Sequence, residues 1–494
     1  MTKAPDIVIV GSGMGGATLA AGLAPSGAKI TILERGHQIP DDAPARDPWR
    51  IYTNSAFRSS ETWLDQQGNA FEPGNYYNVG GNSKLYGAVL IRYREEDFGD
   101  LEHFEGVSPA WPFSYDELAP WYEAAEKLYR VRGDIASDET EPSHSGPYPF
   151  PPVPDEPAIR TARQRLEGAG VKPFSLPLGV DIDTWLSAGK TGWDGYPDLR
   201  CGKMDAETCG LAEALAYENV ELITGAEVTR LQVDPETRKI SCVTFLKDGE
   251  ETDLTPAIVA ICAGAVQSAA LLLKSGIANS SDYVGRCFMN HNATAMIAID
   301  PRFRNDAVYQ KTFGINDWYL AEEEDGKPLG NVQLLGRVTP DILKIQVPQL
   351  PKFAAKWISE HALDLYLISE DLPDPESRVL IKDGKIQLNW RRSNMTAHKK
   401  LAARTKATLK KAGFPVVLSR LFDGRVPSHQ CGTVRLGDDP KTSVLDPDCR
   451  SWDHPNLFVT DAAALPTSAA VNPALTVAAL SLRTAETIRQ ELAA

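Results

Sequence analysis

The chain has 494 residues, too many for one hydrophobic core, so two or three domains are expected, built in part from separated stretches. Hydrophobic residues make up 43% and charged residues 24%, the proportions of a globular protein in water. Lysine and arginine number 51 against 66 aspartate and glutamate, and the resulting charge of −15 excludes a general binder of nucleic acid or of an anionic membrane. No apolar run reaches the length of a membrane span, and the first residues lack a signal-peptide pattern. Seven cysteines without C-x-x-C spacing fit a reducing compartment, so a cytoplasmic location is predicted, with Cys201 and Cys209 as structural thiols. The eight histidines show no metal-ligand spacing, and no metal site is predicted.

Asp6-Ile7-Val8-Ile9-Val10 reads as a short strand. Gly11-Ser12-Gly13-Met14-Gly15-Gly16 follows, then a helical stretch over 17–24. A second strand over 29–33 ends on Glu34, with Arg35 next. This is G-x-G-x-x-G between a strand and a helix, with an acid eighteen residues beyond the last glycine. The glycines permit a tight turn and close approach to a pyrophosphate at the helix N-terminus. Glu34 can accept both ribose hydroxyls and speaks against a 2′-phosphate. The motif serves FAD and NAD alike; a single copy favours FAD as the resident cofactor.

Asn78-Val79-Gly80-Gly81-Asn82-Ser83-Lys84-Leu85-Tyr86-Gly87 places two adjacent glycines where backbone can lie flat against a phosphate or ring, though an ordinary surface turn has the same composition. Trp111-Pro112-Phe113-Ser114 opens a helix that runs to about residue 129, with Ser114 or Asp116 as its cap. Residues 141–157 hold seven prolines and read as an extended connector. Strands are expected over 219–224, 227–233 and 239–246, and 258–265 reads as a fully buried strand meeting a Gly turn, then an apolar helix to about 273, which resumes the first sheet. Alternating runs over 377–381 and 385–390, with a helix over 395–412, point to an antiparallel sheet domain inserted in the first. Near the C-terminus a buried strand over 457–460 meets Asp461-Ala462. Asn472, able to cap, and Pro473 then open an apolar helix containing Thr476.

These motifs, in this order, resemble the glucose–methanol–choline (GMC) family of FAD-dependent alcohol oxidoreductases, and the resemblance covers nearly the whole chain. It rests on the dinucleotide motif, Gly80 to Ser83, Trp111-Pro112 with Tyr115 to Leu118, and Ala263 to Ser268. Val284-Gly285-Arg286 with His291 and the block from His429 to Thr476 complete it. The fold it implies is an α/β FAD-binding Rossmann-like domain (1–100, 190–294 and 426–494) with an inserted α+β substrate domain and connectors (101–189 and 295–425). It further implies cofactor contacts from Gly11, Ser12, Gly13, Met14, Gly16, Glu34, Arg35, Gly80, Gly81, Asn82, Ser83, Val228, Ala263, Asp461, Ala462, Pro473 and Thr476. His429 aligns with the catalytic histidine and Asn472 with its partner, while His291 falls at a structural position.

Within the family the look is to the pyranose oxidase branch and bacterial glycoside 3-oxidases. Some relatives link flavin covalently to a histidine where this chain has Leu85, so FAD is expected to be non-covalent. Thr312, Asn316 and Asp317 lie in a polar and aromatic stretch suited to a sugar or to a solvated loop. The expected reaction is oxidation of a sugar or glycoside hydroxyl at C3 or C2, with O2 as acceptor and H2O2 as product. A dehydrogenase passing electrons to a quinone or carrier protein, and a non-catalytic flavoprotein or lyase, are the alternatives.

Overall fold

The computed structural model describes residues 4–40, 47–187, 193–197, 202–321, 324–422 and 429–493; Cys201 and Ser428 lie outside the described residues. The runs Ile7–Val10, Ile30–Glu34 and Ile258–Ile261 are buried at every residue, as strands are when both faces of a parallel sheet are covered. With Leu457–Val459 and Val220–Thr224 they form a five-stranded parallel sheet. Its order is Leu457–Val459, Ile258–Ile261, Ile7–Val10, Ile30–Glu34, Val220–Thr224.

Alternate side chains leave a strand on opposite faces. Ile7, Ile9, Ile30 and Ile32 cluster with Leu19 and Leu23 of helix Met14–Leu23 and with Ala485 and Ile488 of helix Ala474–Ala493. Val8, Val10, Leu33 and Val259 join instead a cluster containing Val266 and Ala269 of helix Ala265–Ser275. Val243 and Phe245, from a three-stranded antiparallel sheet, belong to the same cluster.

A six-stranded antiparallel sheet forms the second layer system, ordered Val416–Leu421, Asn292–Ile299, Ala362–Ser369, Asn331–Leu334, Phe313–Ile315, Pro173–Ser175. One face packs Met296, Leu365 and Leu367 against Ile159 and Leu166 of helix Pro157–Gly168 and Leu401 and Leu409 of helix Met395–Lys411. The strands expected over 377–390 form a hairpin, Arg378–Lys382 with Lys385–Asn389, outside this sheet. Lys385–Asn389 pairs with Trp63–Leu64, which in turn pairs with Ala70–Phe71, and Arg378–Lys382 packs on helix Ala265–Ser275. The Val379 amide donates to the Gly285 carbonyl at 2.8 Å and holds the hairpin there. Ser114 caps its helix in a capping box with Glu117. Among the described residues, no helix is long and apolar enough to cross a membrane.

The first and last segments of the parallel sheet meet at Gly15, where an added Cβ would stand 2.1 Å from the Thr460 carbonyl oxygen. Gly15→Ala should therefore cost about 1–3 kcal/mol in urea denaturation, because neither backbone can retreat without opening the sheet. Gly146→Ala, where a Cβ meets nothing within 4 Å, should stay within about 0.5 kcal/mol of the parent. Equal midpoints for the two variants would contradict this reading.

Candidate active site

Two glycine turns meet at the C-terminal edge of the parallel sheet. Gly11 has a φ of +100°, and a Cβ on it would lie 2.5 Å from the Cys262 carbonyl oxygen and 3.2 Å from the Ala263 Cα. A Cβ on Gly16 would lie 2.0 Å from the Gly11 carbonyl oxygen. Gly80 and Gly81 both have positive φ, and a Cβ on Gly81 would come within 3.1 Å of the Gly13 Cα. Ser12 joins the two turns: its Oγ donates to Glu34 at 2.7 Å and accepts from the Gly80 amide at 3.2 Å. Glu34 also accepts from the Ser12 and Gly36 amides, which fixes the carboxylate at the strand end.

Lys84, fully buried, holds the second turn by ion pairs to Asp205 at 2.9 Å and Glu207 at 2.7 Å. Ser83 Oγ donates to the Gly80 carbonyl and accepts from the Ala206 amide, while Asn82 accepts from the Tyr76 amide. Arg35 lies 4.0 Å over the Tyr77 ring and pairs with Glu227, next to Val228 on the adjoining strand. No side chain caps helix Met14–Leu23, so its first amides remain available to an anion. Gly11, Gly13, Met14, Gly81, Ala263, Ala462 and Pro473 keep partial solvent access among buried neighbours. Glycines in close approach, free helix amides and a fixed acid fit a dinucleotide.

Asp461 ties the last strand to this cradle. One carboxylate oxygen accepts from the Gly264 amide and Ser268 Oγ, the other from the Ala463 amide, and burial pushes its pKa up. The carbonyls of Ala462, Ala463 and Ala464 accept from the amides of Gly432, Val434 and Leu436. That ladder holds the chain leading from His429 against the turn. Thr476 Oγ1 pairs with the Tyr122 hydroxyl at 2.7 Å, and the Pro473 carbonyl accepts from the Val477 amide.

His429 and Asn472 come together, both half-buried, with Asn472 Nδ2 at 3.4 Å from His429 Nε2. His429 Nδ1 lies 2.8 Å from His291 Nδ1, and His291 Nε2 lies 2.9 Å from the Ser468 carbonyl oxygen. A carbonyl only accepts, so His291 is protonated on Nε2 and its Nδ1 must accept. His429 then donates from Nδ1, which leaves the lone pair on Nε2. Burial is the main cause lowering the pKa of both histidines; for His429, His291 and the Lys311 ammonium lower it further. Both rings are thus neutral at neutral pH. The Asn290 side chain accepts from the His429 amide at 3.0 Å and anchors its backbone.

Asn472 does not spend its side chain on the helix it precedes: its Oδ1 accepts from Gln333 Nε2 at 2.9 Å. Residues 312, 316 and 317, expected in a sugar-facing or solvated stretch, each engage partners within the chain. Thr312 bonds Asp155, Asn316 is shared between Asp138 and Asn331, and Asp317, exposed, accepts from the Lys172 amide. Their polar groups serve the fold. Gln333 and Tyr366, whose ring stands edge-on to His429 at 6.3 Å, were not singled out from the sequence. The signal was present in Asn331-Val332-Gln333-Leu334, where two amides alternate with apolar residues in a buried strand.

Comparison with known proteins agrees with this geometry. Sequence models described as GMC oxidoreductase match residues 187–293 and 387–481, and one described as NAD(P)-binding Rossmann-like domain matches residues 9–40. Relatives include 6'''-hydroxyparomomycin C oxidase of Streptomyces lividus, 28% identical over 99% of this chain and 92% of its own. The fructose dehydrogenase large subunit of Gluconobacter japonicus is 26% identical over 99% of both chains. The crystal structure of pyridoxine 4-oxidase from Mesorbium loti superposes with a TM-score of 0.66 at 18% identity, over 98% of this chain and 99% of that one. A dinucleotide cradle and both halves of the family pattern lead to one conclusion: the chain belongs to the GMC oxidoreductase family of FAD-dependent enzymes.

Proposed function

We propose that the protein oxidises a ring secondary hydroxyl of a sugar or glycoside, at C3 or C2, to the ketone. The observation that carries this reading is the lone pair on His429 Nε2. His291 and the Ser468 carbonyl keep that nitrogen unprotonated, beside an amide donor from Asn472. FAD, held by the glycine turns and Glu34, would supply the hydride acceptor, with O2 as the final oxidant and H2O2 as its product. His429 takes the hydroxyl proton on Nε2, and Asn472 Nδ2 donates to the same oxygen as it gains negative charge. His429 can pass part of its new positive charge to His291, whose Nε2–H faces the Ser468 carbonyl. Support for the sugar comes from sugar-like substrates in the names of the aligned relatives. The ring position rests on the His429 to Thr433 and Asn456 to Asp461 segments, which resemble the pyranose oxidase and glycoside 3-oxidase branch. Leu85 offers no nitrogen for a covalent link, so the cofactor is held by contacts alone. A reducing, cytoplasmic location is supported by free thiols at all six described cysteines.

The name of the fructose dehydrogenase relative favours one second reading, transfer of electrons to a quinone or carrier in place of O2. Oxygen consumption with substrate decides between them: reoxidation too slow to sustain turnover in air sinks the oxidase.

His429→Ala should slow anaerobic bleaching of the flavin by a glycoside about 10²–10⁴-fold while leaving FAD content unchanged; unaltered bleaching would falsify the assignment. The acid limb of kcat/KM for the wild type should fall below pH 6.5, because the folded histidine is harder to protonate and the base form persists to lower pH. A limb above 6.5 would contradict that sign. Acid precipitation should release all the yellow colour into the supernatant, and colour retained in the pellet would reveal a covalent bond.

A further inference from the structure

We propose that Gln333 binds substrate. Its side-chain Oε1 accepts a hydrogen bond from a hydroxyl on the carbon next to the one oxidised, so the site selects vicinal diols. The inference rests on the reading of His429 as the base for a sugar hydroxyl.

Gln333 is 2% exposed, and its Oε1 is buried without a hydrogen-bond partner among the described residues. Which end of the amide carries the oxygen follows from the Ser468 carbonyl. That acceptor orients His291, and His291 makes His429 donate from Nδ1 and accept at Nε2. His429 Nε2 then faces the Asn472 Nδ2 donor, and Asn472 Oδ1 faces the Gln333 Nε2 donor. Four contacts run in one direction, and the unpaired acceptor at their far end is Gln333 Oε1. A buried amide oxygen left without a donor is costly, and a hydroxyl is the neutral group that satisfies it.

The sheet register supports the location. Gly314, Gln333, Tyr366 and Ala295 lie directly opposite one another on four strands, and paired residues share a face. Tyr366 on one side meets His429, and on the other Phe174 covers Gly314, where a Cβ would stand 2.7 Å from its ring. Gln333 therefore stands between two aromatic rings and one amide away from the nitrogen that contacts His429. An isolated alcohol engages only His429 and Asn472. A vicinal diol engages Gln333 as well.

The test is anaerobic stopped-flow reduction of the holoenzyme by methyl glucoside and by its 2-deoxy, 3-deoxy and 4-deoxy analogues, with wild type, Gln333→Leu and Gln333→Met. The 3-deoxy and 2-deoxy analogues locate the oxidised carbon. In wild type, removing a hydroxyl beside that carbon should lower the reduction rate at limiting substrate about 10–100-fold. In the variants the parent sugar should fall similarly, and the neighbouring deoxy analogue should be no worse than the parent. A loss common to both substrates reports support for Asn472; the ratio between them reports Oε1. Wild type that accepts every neighbouring deoxy analogue as well as the parent overturns the proposal, with no variant needed. Variants that keep the full discrimination overturn it too. Wild-type flavin reduced by no vicinal polyol overturns the proposed function and this inference together, whereas reduction without discrimination overturns this inference alone.

Discussion

A single backbone carbonyl sets the chemistry of the centre. The Ser468 oxygen accepts from the Tyr93 hydroxyl and from His291 Nε2, both at 2.9 Å, and can donate to neither. With His291 forced to accept at Nδ1, the proton of His429 has one place to go, and the lone pair faces outward on Nε2. The side chain of Ser468 is itself tied to the Asp371 backbone, and the Asp371 carboxylate accepts from the Asn290 amide. The acceptor that orients the two rings is thus fixed by the strand end that also carries the inserted sheet.

Burial supplies the second half of the arrangement. An imidazole in water titrates near pH 6.5, but loss of hydration disfavours its charged form. For His429 the neighbouring His291 and the Lys311 ammonium, itself buried and paired with Asp194, add to the same direction. A neutral ring beside Asn472, which precedes a helix start, suits proton removal from a neutral alcohol. The helix behind Asn472 begins at the site, and its positive end would favour negative charge there.

The first strands of the parallel sheet were legible because they are short, mostly apolar and close to glycine turns, so composition and position agreed. That His429 and Asn472 come together was legible through the family pattern, and Asn472 was open to two readings until the structure gave its oxygen to Gln333. Helix Pro157–Gly168 and strand Pro173–Ser175 were hidden by the proline-rich stretch before them: Pro157 starts the helix at a position where its missing N–H costs nothing. The hairpin over 378–389 has the alternation of any half-buried antiparallel pair, and alternation does not say which sheet a pair joins. Thr312 and Asn316 carry sugar-friendly groups, yet their partners at Asp155, Asp138 and Asn331 are distant in sequence and follow only from folding. Gln333 is the converse case, the second of two amides in a buried strand, and its meaning depends on a residue far along the chain.

The most direct measurement is 15N NMR of the histidine-labelled holoprotein near neutral pH, which reads protonation at each ring nitrogen separately. His429 is predicted to carry its proton on Nδ1 and none on Nε2, with His291 protonated on Nε2 alone. A proton on His429 Nε2, or an imidazolium at either residue, would contradict the account.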